Sequence, residues 1–379
     1  MNQLDTPGTL FLTIALVTLG CGGNNYDPSP DEHGKDRKII LTHWVDNIII
    51  PSYNNFKVKF DLMMNKSDAF TTAPDLNSLN EFRLSWSEAY AEWQKVELFE
   101  FGPADRYTLR NFFNIYPADV AGIAAAINDP STSLEVPASY PKQGFPALDY
   151  LLFGAGQDDM AVIAYYTDAS EGVKRLSYVK RIIDRMSTLL TSVISEWNGA
   201  YRDTFISKTG LDIGSSFGIV INAYVLHFER YIRTGKIGIP SGATIASSGV
   251  PHPEKVEAFY KRDISLLLAK NAHQAVHDFF QGKNVLTGAD GPSFQTYLDA
   301  LNAKDMTSGK LLSVIIDEQF AVVSAKLNAL SSSLYDQVQN DNQAMIDTYD
   351  AMQQMVRILK VDMTSAMSIT ITYTDNDGD

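Results

Sequence analysis

Apolar residues recur along most of this chain at steps of three and four, the spacing of one face of an α-helix. The clearest case is Leu176, Val179, Ile183, Met186, Leu190, Val193 and Trp197, which alternate three and four throughout. Such an a/d seam predicts a helix in an antiparallel bundle. Phe82, Trp86, Ala89, Tyr90, Trp93 and Val96 form a second stripe, predicting a helix from near Asp75 to Phe101. Burial of aromatic rings explains that stripe without any ligand. Ile316, Phe320, Val323, Leu327, Leu330 and Leu334 repeat the pattern late in the chain, and a last helix is predicted to reach about Met363.

Between these stripes the pattern is less regular. From Ile39 a helix is predicted, and Pro51, which has no amide donor, should kink or restart it. Gly199 to Gly214 reads as a hinge between halves, Phe217 to Tyr231 as a helix, 236–242 as a turn-rich loop and Glu254 to Phe280 as another helix. Two-residue alternation occurs only at Met367–Tyr373, which predicts a short strand. The expectation is an all-α protein built from helical bundles, with a strand-like C-terminal segment.

The length of 379 residues points to two domains. Hydrophobic residues make up 45% of the chain, enough for a core in each. Asp and Glu number 45 against 31 Lys and Arg, a formal charge of −14. Such a balance repels phosphate backbones and argues against a nucleic-acid partner. The one cysteine, Cys21, excludes an intrachain disulfide framework and a thiolate metal cluster. It follows the apolar run 10–20 and precedes the polar stretch 22–25, and that order resembles a bacterial lipoprotein signal with Cys21 acylated. No Lys or Arg precedes the run, and Thr18 stands where such signals usually carry Leu. The expected organisation is a signal over 1–21, a flexible tether over 22–37, and bundles over 38–205 and 206–379. The expected location is the bacterial cell envelope, with the membrane reached through the lipid on Cys21.

The stretch Gly144–Gly154 joins a Pro- and Ser-rich loop to an apolar run and holds one acid, Asp149. It resembles the signature of the imelysin-like family, in which Gly, any residue, His, two residues and Glu open a short helix with an aromatic-aliphatic tail. Gly144 and Tyr150–Gly154 match; the His position is Pro146 and the Glu position is Asp149. The ending of the 75–101 helix, Glu97–Pro103, also resembles the family, with Trp86 and Glu97 in matching places and Tyr90 where an Arg is expected. The 236–242 segment and the C-terminal tail match as well. The resemblance covers most of residues 38–379. It implies two helical bundles side by side, a site in the cleft between them, and a link to iron or haem handling through a metal ion, an iron-containing ligand or an envelope partner.

On that basis the expected ligand-binding residues are Asp149, Glu97, Tyr90, Gly144 and Pro146, with Asp149 and Glu97 as the weak metal candidates. Proline has no lone pair for a metal, so the expected function is binding rather than catalysis. Metallopeptidase activity and a purely structural interaction module are the alternatives. Asp149 has a bland reading too, as an acid favoured near a helix start. His273 and His277 lie one helical turn apart, but Gln274 stands where zinc peptidases carry their Glu base. His227, beside Glu229 and Arg230, reads as part of an ion-paired helix face. Asp375–Gly378 opens like a calcium loop, yet the sequence supplies no acid at the twelfth position, so a solvated terminus is expected.

Overall fold

The computed structural model describes residues 30–374. Cys21 with its apolar run, and the Asp375–Asp379 ending, lie outside them. Helices account for the regular structure, and among the described residues the only β pairing is an isolated bridge between Lys304 and Leu311. No helix among them is long and apolar enough to cross a membrane.

The first helix opens at Pro30, inside the segment expected to be a tether. It runs from Pro30–His43 through a wide π-helical stretch, Trp44–Ile49, into Ile50–Thr72. Pro51 follows that wide stretch directly, so the missing donor falls where the hydrogen-bond ladder is already changing register. The helix Leu76–Trp93 starts with a capping box: Ser78 N donates to Asp75 Oδ1 (2.7 Å) and Asp75 N to Ser78 Oγ (3.1 Å). Its stripe is buried as predicted, from Phe82 through Trp93. The helix ends at Trp93, and Glu97–Phe99 form a separate 3₁₀ turn. The seam helix Gly172–Trp197 buries Val179, Ile183, Met186, Leu190, Val193 and Trp197.

Three expectations need correction. The 236–242 segment is no loop: the helix Ser216–Leu226 continues through a π-helical stretch, His227–Gly238, into Ile239–Ser241. Gly235 and Gly238 sit inside that helix, and the chain turns only at Gly242 (φ +78°). The predicted 254–280 helix forms only over Ser265–Gln281, because Ala258 and Arg262 take left-handed φ values of 56° and 57°. The 367–373 segment pairs with no strand. Side chains hold it instead: Asn222 Nδ2 donates to Thr370 O (3.0 Å), Thr372 N donates to Asn222 Oδ1 (2.8 Å), and Tyr373 Oη donates to Glu229 (2.8 Å).

One hydrophobic cluster runs through the described residues from Ile40 to Ile369. Trp44 packs against Phe217, Phe279 and Phe294 at centroid distances of 5.6, 4.9 and 4.7 Å, so the first of the described helical segments is embedded among helices of the second half. The expected hinge includes a helix, Ala200–Ser207, whose Phe205 stacks on Phe101 at 6.0 Å.

Candidate functional site

Gly144 takes φ +77°, and a Cβ there would meet Phe113 O at 2.4 Å. Only glycine permits that approach. The following helix, Gly144–Asp149, passes into the wide turn Tyr150–Gly154. The Phe145 ring lies flat on Tyr90 (4.6 Å, 5° between planes), and Trp86 Nε1 donates to Phe145 O (3.3 Å). The signature segment is thereby locked to the 76–93 helix.

Asp149 is buried, and both its oxygens are taken by backbone amides of a distant segment. Tyr260 N donates to Oδ2 (2.8 Å) and Lys261 N to Oδ1 (2.9 Å). It therefore holds the irregular 258–262 turn rather than its own helix start. Burial pushes its carboxyl up to about 7, more than the two amides and Lys261 lower it.

The other expected carboxylate, Glu97, belongs to a buried polar cluster. At its centre Lys236 Nζ lies 2.5 Å from Glu257 Oε2, each side chain 2% exposed. Lys236 also donates to Gln94 Oε1 (2.7 Å). Glu257 Oε1 accepts from Gln94 Nε2 (3.1 Å) and Asn114 Nδ2 (2.8 Å), with Tyr90 Oη 3.0 Å away. Asn114 Nδ2 also reaches Glu97 Oε1 (3.0 Å), and Arg110 donates to Glu97 O (2.8 Å) while its guanidinium lies over Tyr231 at 3.8 Å. Burial raises the Glu97 carboxyl above its ordinary value against the pull of Lys236 and Arg110. Its Oε2 has no hydrogen-bond partner.

Two neighbouring cavities share Tyr116. One, of about 210 Å³, is lined by Glu97, Tyr116, Arg230, Tyr231, Lys236 and Lys255. The other, of about 190 Å³, is lined by Pro146, Asp149, Glu254 and Tyr260 besides Tyr116. The structure thus brings Glu97 and Tyr90 into one polar network and sets Pro146 and Asp149 on the adjoining cavity, with Gly144 serving the backbone path.

A metal does not fit this donor set. Asp149 spends both oxygens on amides, Pro146 offers no lone pair, and the cation beside Glu257 is Lys236. No group of three or more His, Cys, Asp or Glu among the described residues is arranged to hold a metal ion. The two other histidines of interest diverge. His273 Nε2 meets Ser324 Oγ (3.0 Å), whereas His277 Nε2 meets Asp317 (2.7 Å) and its ring stacks on Phe320 at 4.4 Å. Burial lowers the His273 imidazole to about 4 and holds His227 well below its usual range. Glu229 pairs with Lys360 (3.1 Å), but His227 is fully buried with neither ring nitrogen hydrogen-bonded, so it is not part of the ion-paired face expected of it.

Sequence reasoning missed Gln94, Arg110, Asn114, Lys236 and Glu257. One signal was present: Phe228, Ile232 and Lys236 fall at steps of four, which places Lys236 on the buried stripe of the helix. Nothing local marks Glu257, whose partners lie on other segments.

The Imelysin family model matches residues 49–361. Iron-regulated protein A of Synechococcus elongatus is 27% identical over 160 residues, 42% of this chain and 44% of that protein, so the match spans less than half the relative's length. Two crystal structures share the fold. An iron-regulated protein A precursor from Parabacteroides distasonis superposes with TM-score 0.69 at 17% identity, covering 90% of this chain and 97% of that one. An imelysin-like protein from Psychrobacter arcticum gives 0.67 at 19% identity, covering 90% and 98%. The chain belongs to the imelysin family.

Proposed function

We propose that this protein is a non-catalytic binding protein of the bacterial envelope, anchored through Cys21, which captures an iron-linked ligand in the cavity beside Glu97. The observation that carries the reading is the buried network of Tyr90, Gln94, Asn114, Lys236 and Glu257. It fixes Glu97 and Lys236 in the wall of a small cavity that Arg230 and Lys255 also line. Buried polar groups that satisfy one another hold such a wall rigid, as a recognition site requires. The iron link is supported by the names of the Synechococcus and Parabacteroides relatives. Metallopeptidase hydrolysis needs a metal-bound water and a base, and neither Pro146 nor the amide-bound Asp149 supplies a ligand for one.

The chain from residue 22 onward retains every described residue and suits the test. It would be incubated with ferric citrate, haem or zinc, passed through a desalting column, and assayed for retained metal and for peptide cleavage. Iron retained with its ligand, no tightly held zinc and no cleavage are expected. Zinc-dependent cleavage lost in Asp149→Ala would overturn the reading in favour of a metallopeptidase. For the anchor, Cys21→Ser in the full chain should move the protein from the membrane to the soluble fraction.

A further inference from the structure

The cavity beside Asp149 is walled in part by Glu254, Val256, Ala258, Phe259 and Tyr260. Within that wall the residues 258–262 form a loop tied to itself. Arg262 N donates to Ala258 O (2.7 Å), and just beyond it Asp263 N donates to Lys261 O (2.7 Å). Ala258 and Arg262, the first and last residues of the loop, both take left-handed φ. Non-glycine residues hold that conformation at a cost and only where their surroundings impose it, a pattern found at clamps and switches.

The flanks of the loop are fixed independently of it. On one side Glu257 is pinned by Lys236, Gln94 and Asn114. On the other, Ser265 opens the helix Ser265–Gln281 and its hydroxyl accepts from Leu334 N (2.8 Å). The loop itself is gripped by the signature segment. Tyr260 N and Lys261 N both donate to the Asp149 carboxylate. The Tyr260 ring packs on Tyr150 (5.3 Å) and lies against Gly154, where a Cβ would meet it at 2.3 Å. Lys261 Nζ stands 5.6 Å from the centre of the Phe153 ring. Phe259 and Arg262 rest on Tyr335, at 5.6 and 4.0 Å, and that ring is itself half-buried.

From this arrangement we infer that the loop 258–262 is a flap over the cavity beside Asp149, that it opens as one piece about Ala258 and Arg262, and that Asp149 is its latch. Hinges are a few positions that absorb a backbone change, and here they are the two residues already held in left-handed φ. Opening releases both Asp149 oxygens and uncovers the Val256 side of the cavity. The inference concerns access to this cavity and stands whatever the neighbouring cavity beside Glu97 binds.

Hydrogen exchange of the chain from residue 22, with urea raised below the unfolding transition, reads the opening directly. The amides of 260–263 are expected to exchange through one common opening with little urea dependence, at least about tenfold faster than those of the 172–197 helix. Asp149→Ala should speed all four by about tenfold or more, for loss of two hydrogen bonds to a charged group. The four include Arg262 and Asp263, whose amides bond to the loop's own carbonyls and not to Asp149. Gly154→Ala, which displaces the Tyr260 ring, should act in the same direction with the carboxylate intact. The chain from residue 22 has no cysteine, so Val256→Cys, at a buried position lining the cavity, reports access. Its alkylation by iodoacetamide should rise with Asp149→Ala in step with the exchange. Exchange of 260–263 only through global unfolding in the parent protein would overturn the flap. So would Asp149→Ala speeding Tyr260 and Lys261 alone, neither variant speeding the exchange, or Val256→Cys alkylation that stays unchanged.

Discussion

At Asp149, burial and hydrogen bonding pull the carboxyl in opposite directions, and burial prevails. Its folded value near 7 lies above the ordinary 3.8, so between these limits the folded chain holds a proton that the unfolded chain releases. Stability is therefore greatest on the acid side of that window and falls as pH rises toward about 7, then levels. Glu100, also pushed to about 7 by burial, acts with the same sign. Urea unfolding compared at about pH 5 and about pH 7.5 should show the fall, and Asp149→Asn should flatten it. An unchanged slope in that variant would assign the effect elsewhere. The sequence made Asp149 visible through its neighbours Gly144 and Tyr150–Gly154, but it could not show what the carboxylate holds. Its partners, Tyr260 and Lys261, lie 111 and 112 residues further along. Gly144 was legible for a similar reason and remained unexplained until Phe113 O was seen against it.

Among the elements, the 176–197 seam formed one helix as expected, because burial of one face decides it, whereas the 82–96 stripe left its helix at Trp93 and the 316–334 stripe divided between Leu312–Asn328 and Leu334–Asn340. The segment 236–242 did not follow its turn-rich composition. Its Gly238 lies within a helix whose buried side is already fixed by Phe228 and Ile232, and packing outweighs glycine's weak intrinsic preference. Lys236 is carried on that helix to Glu257. Replacing it with Met leaves Glu257 buried without its cation and should cost about 3–5 kcal/mol. Adding Glu257→Gln should recover a large part of the loss, which equilibrium urea unfolding of the single and double variants would measure. If the double variant is no more stable than Lys236→Met alone, the pair is not the reason for the cost. The 367–373 segment illustrates the converse. Its alternation was legible, but with no neighbouring strand its amides and carbonyls turned to Asn222 and Arg230.

For the molecule as a whole, the halves distinguished along the chain share one hydrophobic core. Trp44 sits among Phe217, Phe279 and Phe294, so its truncation to Ala should destabilise by about 3–5 kcal/mol and lower one calorimetric transition rather than split it. Two well-separated transitions in the parent protein would show instead that the halves melt independently. The wide turns of the structure bear on ancestry. A π-helical stretch holds more residues per turn than its α-helical neighbours, and such stretches are what a one-residue insertion leaves inside a helix. Deleting one residue from His227–Gly238 would rotate everything after the cut by about 100°, swinging Lys236 away from Glu257 while the upstream core contacts of Phe217 and Val220 stay in place. Ile237 lies on the rotated segment and is fully buried, so a length change in this helix moves the charge only together with part of the core.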